Sequence, residues 1–263
     1  MYTIASILIW LFIWILAGKK VDNELFLPTP PKVYNTLKDI MLSDNFKDII
    51  LFSAKNITKG FFLSLITGII LACISSIHVF FSSVIDLPIK IIKAVPVASF
   101  TILALLWINS ENLSVLVSFL MGLPIIYTNV YKGINETDQN LINMAKVFHI
   151  PYIRRIRYIY LPYVIPYFMS AISITAGMCW KSGIAAEVIG ITKNSIGNEL
   201  YQSKLYLETP EIFAYTFIII ILSIIFEKIA LFIFKVITYA LSHTRLNSKA
   251  PEKITFTETR KKE

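Results

Sequence analysis

The sequence predicts an all-α integral membrane protein with about six transmembrane helices, on the evidence of its composition, its apolar clustering and its charge placement. Of the 263 residues, 56% are hydrophobic and 16% are charged, whereas soluble chains are about 45–50% apolar and about 25% charged. The mean hydropathy is +0.65. Several windows approach or exceed the roughly 20 apolar residues that cross a hydrocarbon core of about 30 Å. We therefore expect the chain to lie in a lipid bilayer.

Six apolar stretches are predicted to span the membrane. The first has no basic segment before it and no typical cleavage site, so we interpret it as a retained helix rather than a signal peptide. The third is the least favourable, because Asp86, Lys90 and Lys93 must lie near the interface or pair, and a central lysine costs about 2.5 to 3.5 kcal/mol. In order, the spans are residues 2–17, 60–81, 86–107, 112–131, 163–181 and 211–235.

These spans divide the chain into three regions. Residues 1–59 hold the first helix and an amphipathic extracytoplasmic segment, 60–235 form a core of five transmembrane helices, and 236–263 form a charged cytoplasmic tail. All five arginines fall in the 132–162 loop and the tail, so the positive-inside rule predicts that both are cytoplasmic. Seven lysines in residues 18–59 oppose this orientation, although five acidic residues accompany them.

The segment "LPTPPKVYNTLKDIML" in the first region predicts an amphipathic helix. Its prolines are typical of a first helical turn, and Val33, Leu37, Ile40 and Met41 fall on one side. We expect this helix to lie along the membrane surface.

The net charge of +8 does not indicate nucleic-acid binding, because most basic residues flank apolar spans. Cys73 and Cys179 each lie in an apolar run without metal-ligand spacing, so we expect packed or lipid-facing side chains rather than a disulfide or a metal pair. The three histidines, His78, His149 and His243, are scattered, which argues against a membrane-embedded enzyme. No cofactor or metal site is predicted in this chain.

The 132–162 loop is predicted to hold two short helices. Asp138 is a suitable N-cap, and the first helix should stop near His149, because the residue before Pro151 is pushed out of helical geometry. Pro151 then starts a second helix, which Pro162 ends or hinges into the fifth span. The small Ala145 would let another surface approach the backbone. The residues alone leave two readings open: a docking surface for a partner, or a basic loop whose helices rest on lipid headgroups.

Lys181 and Glu187 are the candidate pathway residues, because ionisable groups at membrane depth are costly and are commonly functional. They are six residues apart and either pair across a turn or face a polar cavity. The alternative is an interfacial ion pair in which the lysine snorkels to the headgroups.

The loop sequence "NMAKVFHIPYIRRIRYIYLP" resembles the coupling loop of the membrane subunits of binding-protein-dependent ABC importers. The family's Glu-Ala-Ala corresponds to residues 143–145, its Gly to His149, and its Leu-Pro to residues 161–162. The Gly suits a left-handed helix end, which His enters at some cost. The residues expected to couple to an ATPase subunit are Asn143, Met144, Ala145, His149, Arg154, Leu161 and Pro162.

Other segments resemble the nitrate, sulfonate, taurine and thiamine-precursor branch of this family. They are "FLPTPPKVYNTL", "KAVPVASFTILALLWI", "WKSGIAAEVIG" and "SIGNELYQSKLYLETPEIFAYTFIIIILSIIFEKI", and they occur in the family's order over most of residues 26–235.

The resemblance implies a type I ABC importer permease-like fold and a cell-membrane transport subunit that carries a small solute. It implies three protein partners: a P-loop ATP-binding subunit dimer, a second permease subunit, most simply a second copy, and an extracytoplasmic solute-binding protein. The chain itself has no GxxxxGK[ST] motif, so ATP would be bound by the partner subunit. The alternative is an ATP-independent channel or secondary transporter, which would leave the two-helix loop without a partner.

Overall fold

The computed structural model describes residues 2–21 and 23–243, apart from the side chains of residues 2–4, 7 and 240–243. Every regular element in this part is helical. The elements are α1 (Tyr2–Val21), α2 (Pro30–Leu42), α3 (Phe46–Ser75), α4 (Val79–Ala94), α5 (Val97–Ala104), α6 (Ser110–Asn135), α7 (Gln139–Val147), α8 (Tyr152–Arg155), a π-helical turn (Ile156–Tyr160), α9 (Leu161–Gly190), α10 (Ile196–Leu205) and α11 (Thr209–His243).

Four of the six predicted spans fall within single long helices, whereas the second, 60–81, runs past the end of α3 and the third, 86–107, is divided between α4 and α5. Among the described residues, four helices are long and apolar enough to cross a membrane: α3, α6, the continuous stretch Tyr152–Gly190, and α11. The pair α4 and α5 meets the same criterion when the two are taken together. Helix α1 covers the first predicted span. The all-helical membrane fold is therefore confirmed.

The third span is not the continuous helix expected over residues 86–107. Helices α4 and α5 are bent by 101° relative to one another. The break lies at Val95 and Pro96, which both have extended backbones, because a residue before proline is excluded from the helical region. Two of the three charges of this span have partners: Asp86 accepts a hydrogen bond of 2.6 Å from Tyr127, and Lys93 donates one of 2.9 Å to Thr128.

Two expected boundaries fall inside helices. Helix α3 begins at Phe46, so the division expected between residues 59 and 60 lies in its middle. Hydropathy does not reveal its first turns, because they bury polar side chains such as Ser53 and Asn56 against neighbouring helices. Helix α11 continues to His243, past the expected start of the tail at residue 236. Residues 244–263 of that tail lie outside the described residues.

Helices α3, α6 and α9 form the centre of the bundle. Gly183 of α9 lies so close to its neighbours that an added Cβ would be 2.6 Å from Ser118 Oγ of α6 and from a side-chain carbon of Ile57 of α3. Small residues permit this close approach between membrane helices. Ser118 Oγ also donates to the carbonyl of Cys179 at 3.0 Å. Cys179 is buried and Cys73 is exposed, and both are free thiols.

Helix α2 begins with prolines and is amphipathic, as predicted, but protein contacts hold it. Val33 and Ile40 are buried in a cluster that includes Tyr215 and Ile218 of α11. Met41, expected on the same side, is exposed. The hydrophobic side of α2 therefore packs mainly on α11.

Candidate functional site

The first loop helix, α7, has defined caps at both ends. The Asp138 side chain accepts a hydrogen bond of 2.8 Å from the backbone N–H of Asn140. At the other end His149 has φ of 50°. Its N–H donates to the carbonyl of Lys146 at 3.1 Å, and the N–H of Ile150 donates to that of Ala145 at 2.9 Å. This pair of bonds is a Schellman motif with His149 at its left-handed position. The backbone expected where the family has glycine is thus present.

The two halves of the loop pack on one another through a small apolar cluster. Ile142 and Ala145 of α7 are buried against Ile159 of the π-helical turn. Arg155 Nε links the second loop helix to the turn before it by donating a hydrogen bond to the carbonyl of Ile150 at 2.8 Å. Ala145 is 0% exposed, so its side chain faces the loop's own second half rather than a partner. Its small size lets the two halves approach, which corrects the outward role expected for it.

Pro162 neither ends the second loop helix nor hinges it. The helix continues from α8 through the π-helical turn into α9, so that Tyr152–Gly190 is one stretch of 39 residues. The N–H of Leu161 donates to the carbonyl of Ile156, five residues earlier. The wider π turn accommodates the proline, whose ring would otherwise clash with the carbonyl of the preceding turn. The loop is therefore joined directly to a helical rod roughly 58 Å long.

An apolar surface on this loop is exposed at one end of the bundle. Phe148 is 72% exposed and Ile153 is 79% exposed. Beside them lies a cavity of about 550 Å³ that Arg154 and His149 help to line. Exposed apolar surface of this kind commonly marks an interaction site. We call this surface the loop patch; its residues are Met144, Val147, Phe148, Tyr152 and Ile153.

The remaining expected coupling residues lie around this patch. Asn143, His149 and Arg154 are exposed, Leu161 is half-buried, and Pro162 is exposed at the start of α9. Sequence reasoning missed four residues of the loop patch: Val147, Phe148, Tyr152 and Ile153. The sequence did contain a signal for these residues, because they are large apolar side chains within an otherwise basic loop.

Glu187 lies at the opposite end of α9 and is fully buried. Ser53 Oγ of α3 donates to its carboxylate at 2.7 Å, and the N–H of Gly197 donates to the same oxygen at 3.3 Å. Ser53 Oγ also accepts from the N–H of Ile196 at 3.0 Å. Both N–H groups belong to the first turn of α10, where a negative charge is favourable. Glu187 therefore joins α3, α9 and α10.

The chain reverses direction directly after α9 through a residue in a left-handed conformation. Ile191 has φ of 47°, which is costly for a β-branched side chain. The N–H of Thr192 donates to the carbonyl of Glu187 at 3.1 Å, and its hydroxyl donates to that of Ser110 at 2.9 Å. Together these bonds fix the position of α10 beside Glu187.

Lys181 does not pair with Glu187. Its side chain is exposed on α9, on a face that also exposes Ile174 and Met178. An added Cβ at Gly177, on the same side of the helix, would meet nothing within 4 Å. The two candidate pathway residues are thus separated: Lys181 lies on an open helix face, and Glu187 lies inside the protein.

A bundle of long apolar helices with an exposed two-helix loop at one end defines an integral membrane protein. A family model described as "Binding-protein-dependent transport system inner membrane component" matches residues 64–242. The chain belongs to this family, and it is similar to permeases of the nitrate, sulfonate and taurine branch.

Three relatives illustrate the relationship. The chain is 24% identical over 205 residues to the putative aliphatic sulfonates transport permease protein SsuC of Bacillus subtilis, covering 77% of this chain and 74% of that one. It is 23% identical over 220 residues to the taurine transport system permease protein TauC of Escherichia coli, covering 81% and 80%. It is 26% identical over 141 residues to the nitrate import permease protein NrtB of Synechococcus elongatus, covering 53% and 50%.

A solved structure supports the type I permease-like fold. The crystal structure of an amino acid ABC transporter with histidines superposes with a TM-score of 0.56 at 17% identity. The match covers 71% of this chain and 90% of that one.

Proposed function

We propose that this chain forms the solute pathway of an ATP-driven importer and couples it to a separate ATP-binding subunit through the 132–162 loop. The observation that carries the proposal is the loop patch, which is exposed apolar surface on an element joined to α9 without a break. A partner that moves the patch moves the whole rod, because the helix has no hinge at Pro162.

The docking partner is a dimer of P-loop ATPase subunits, one for each permease subunit. Met144, Phe148 and Ile153 would be buried by the ATPase, and Arg154 would contact its polar rim. Asn143 and His149 lie on the border of the same surface. Ala145 acts indirectly, by holding the two halves of the loop together. Leu161 and Pro162 would act through α9, the helix that leads away from the loop.

ATP would drive transport by shifting a two-state equilibrium. Binding of ATP draws the two ATPase subunits together and moves the two loops, and the form that makes more contacts with the closed ATPase becomes populated. Tyr152–Gly190 carries that movement to Glu187, which holds α3 and α10 at the far end of the bundle.

The solute pathway is proposed to run between this chain and a second permease subunit, most simply a second copy. The open face of α9 at Gly177 and Lys181 supports this, because that face has no neighbour within the described part of the chain. Glu187 would not contact the solute itself; it would hold the neighbouring helices in position beside the pathway. An extracytoplasmic solute-binding protein would deliver nitrate, a sulfonate, taurine or a thiamine-precursor-like solute.

The loop and the C-terminal tail are proposed to be cytoplasmic, with the chain in the cell membrane. The positive-inside rule supports this, since every arginine lies on that side. The far end of the bundle, with α10 and α2, is then extracytoplasmic.

Uptake into proteoliposomes tests the proposal. Vesicles that contain this chain with its ATPase and binding protein are expected to accumulate solute only with ATP and magnesium. Vesicles with the chain alone are the control. Equal uptake by both would favour an ATP-independent channel or secondary transporter and would contradict the proposal.

A further inference from the structure

Helix α4 is attached to the bundle more lightly than the helices it contacts. Every residue of α4 is described, and Ile89 alone is buried, whereas most turns of α6 contain a buried residue. Ile85 and Ile92 are half-buried beside it against α3 and α6, and Val84 and Leu87 are exposed. Apolar contact between membrane helices has no hydrophobic driving force, because lipid tails are equally apolar. These contacts alone therefore hold α4 only weakly.

Two tyrosines of α6 provide a polar attachment for α4. Tyr127 Oη donates to Asp86 Oδ1 at 2.6 Å, and Tyr131 Oη lies 2.9 Å from Ser82 Oγ. The two tyrosine rings are stacked, with their centroids 5.8 Å apart and their planes inclined by 5°, so both hydroxyls lie on one side of α6. Ser75 Oγ of α3 lies 3.0 Å from Tyr127 Oη. We call the Tyr127–Asp86 and Tyr131–Ser82 pairs the tyrosine latch.

A break in the helical backbone adjoins α4 at each end. His78 precedes the helix with an extended backbone, and Val95 and Pro96 follow it in the same conformation. Beyond the second break, α5 is bent by 101° relative to α4. Helix α5 is anchored in the bundle, since Thr101 and Ala104 are buried. Helix α4 can therefore move as a rigid unit through changes at the two breaks, without bending itself.

We propose that α4 is a movable arm, which the tyrosine latch holds against α6 and which separates from α6 when the subunit changes conformation. Tyr131 lies about one turn before the end of α6, so the latch is at the end of the bundle that carries the two-helix loop. The bond from Lys93 to Thr128 is close to the break before α5, so it lies near the pivot. The exposed Leu87 and Ile91 contact lipid whether or not the arm is latched, so release transfers little apolar surface to water.

The role of this release in transport rests on the proposed function, whereas the release itself does not. A few hydrogen bonds between membrane helices are individually modest in strength. The latched and released forms can therefore differ little enough in free energy for a partner to shift the equilibrium between them.

Labelling of a buried thiol measures release in the absence of ATP and solute. The reporter is Ile89→Cys in the purified full chain in a neutral maltoside detergent, with the exposed Cys73 replaced by serine and N-ethylmaleimide as the reagent. The double variant Tyr127→Phe and Tyr131→Phe keeps both rings and removes both hydroxyls of the latch. It should accelerate labelling of the reporter about tenfold or more, because each lost hydrogen bond favours the released arm.

Two controls separate release of the arm from a general loosening of the protein. The double variant Tyr34→Phe and Tyr206→Phe removes two exposed hydroxyls outside the latch and should leave the labelling rate unchanged. A second reporter, Ile184→Cys, replaces a similarly buried residue of α9, and its labelling should not respond to the latch variant. The chain without a reporter gives the background from Cys179. Equal acceleration at both reporters, or no acceleration at Ile89→Cys, would overturn the proposal.

A covalent bridge tests whether release is needed for transport. Ser82→Cys and Tyr131→Cys, again without Cys73, are joined by a short bifunctional thiol reagent in proteoliposomes that contain the ATPase and the binding protein. Bridging is expected to lower ATP-driven uptake at least tenfold relative to untreated vesicles. Retained uptake by the bridged protein would show that the arm stays latched during transport and would overturn the proposal. If the unmodified chain showed no ATP-driven uptake, the proposed function would fail instead, and thiol labelling would still decide whether the arm is released.

Discussion

Ser53 Oγ donates a hydrogen bond of 2.7 Å to the carboxylate of Glu187, although the two residues are 134 positions apart in the chain. Both side chains are fully buried, and Ser53 also accepts from the first turn of α10. One hydroxyl therefore ties α3 to α9 and to α10. This junction lies at the far end of the rod that begins in the loop, so the two ends of the proposed coupling path are structurally connected.

Ser53→Ala is expected to destabilise the protein by about 1–3 kcal/mol, because it leaves the Glu187 carboxylate and the Ile196 N–H without a shared partner. The measurement is the midpoint of thermal unfolding in detergent. Ser83→Ala is the control, since Ser83 is exposed and bonds only within its own helix. Equal midpoints for the two variants would contradict the role of this junction.

Gly197→Ala is expected to lower the unfolding midpoint and to displace α10, because an added Cβ would be 2.6 Å from the backbone N of Val188 and still closer to Glu187. Overpacking of this kind costs about 1–3 kcal/mol or more. Gly177→Ala is a matched control with open space around the new methyl group. It should leave the midpoint unchanged or slightly raised. A larger fall in the midpoint for Gly177→Ala than for Gly197→Ala would show that α10 does not pack against α9 at Gly197.

The double variant Phe148→Ser and Ile153→Ser is expected to reduce co-purification of the ATPase subunit at least tenfold. Each substitution removes a large apolar side chain that the proposed interface would bury. Leu42→Ser is the control: Leu42 is as exposed as Phe148 but lies at the other end of the bundle. Retention of the ATPase by the double variant would exclude the loop patch as its docking surface.

Ala145→Arg is expected to release the ATPase by a different route. The side chain would have to leave a fully buried position between the two halves of the loop, so the loop itself should open. Limited proteolysis distinguishes the two mechanisms. Cleavage in the loop should increase for Ala145→Arg but not for Phe148→Ser, and an intact loop in the first variant would mean that Ala145 contacts the partner directly.

His149→Gly is expected to stabilise the loop by about 0.5–1 kcal/mol, because glycine adopts the left-handed conformation of this position without steric cost. His149→Val should do the opposite. Hydrogen exchange of the Ile150 amide, which closes the Schellman motif, reports this directly. Slower exchange in the valine variant would be inconsistent with the backbone found here.

Local signals were sufficient for much of this architecture. Apolar runs predicted the spans, and Asp138 and Pro151 predicted where the loop helices begin. Each depends on the chemistry of neighbouring residues alone, such as capping, proline sterics or transfer to lipid. The same proline rule, applied at Pro96, could have predicted the break before α5. The apolar sequence continues across this break and therefore suggested one unbroken span.

The sequence by itself determined that this chain is a helical membrane protein with a two-helix loop, because hydropathy and backbone sterics act over one or two turns. Only the tertiary structure decided that Ala145 faces inward, that Phe148 faces outward, and that Glu187 bonds Ser53 rather than Lys181. Which face of a helix is buried, and which distant hydroxyl reaches a carboxylate, depends on how the helices cross. That arrangement results from contacts between residues far apart in the chain, such as Gly183 with Ser118 and Ile57.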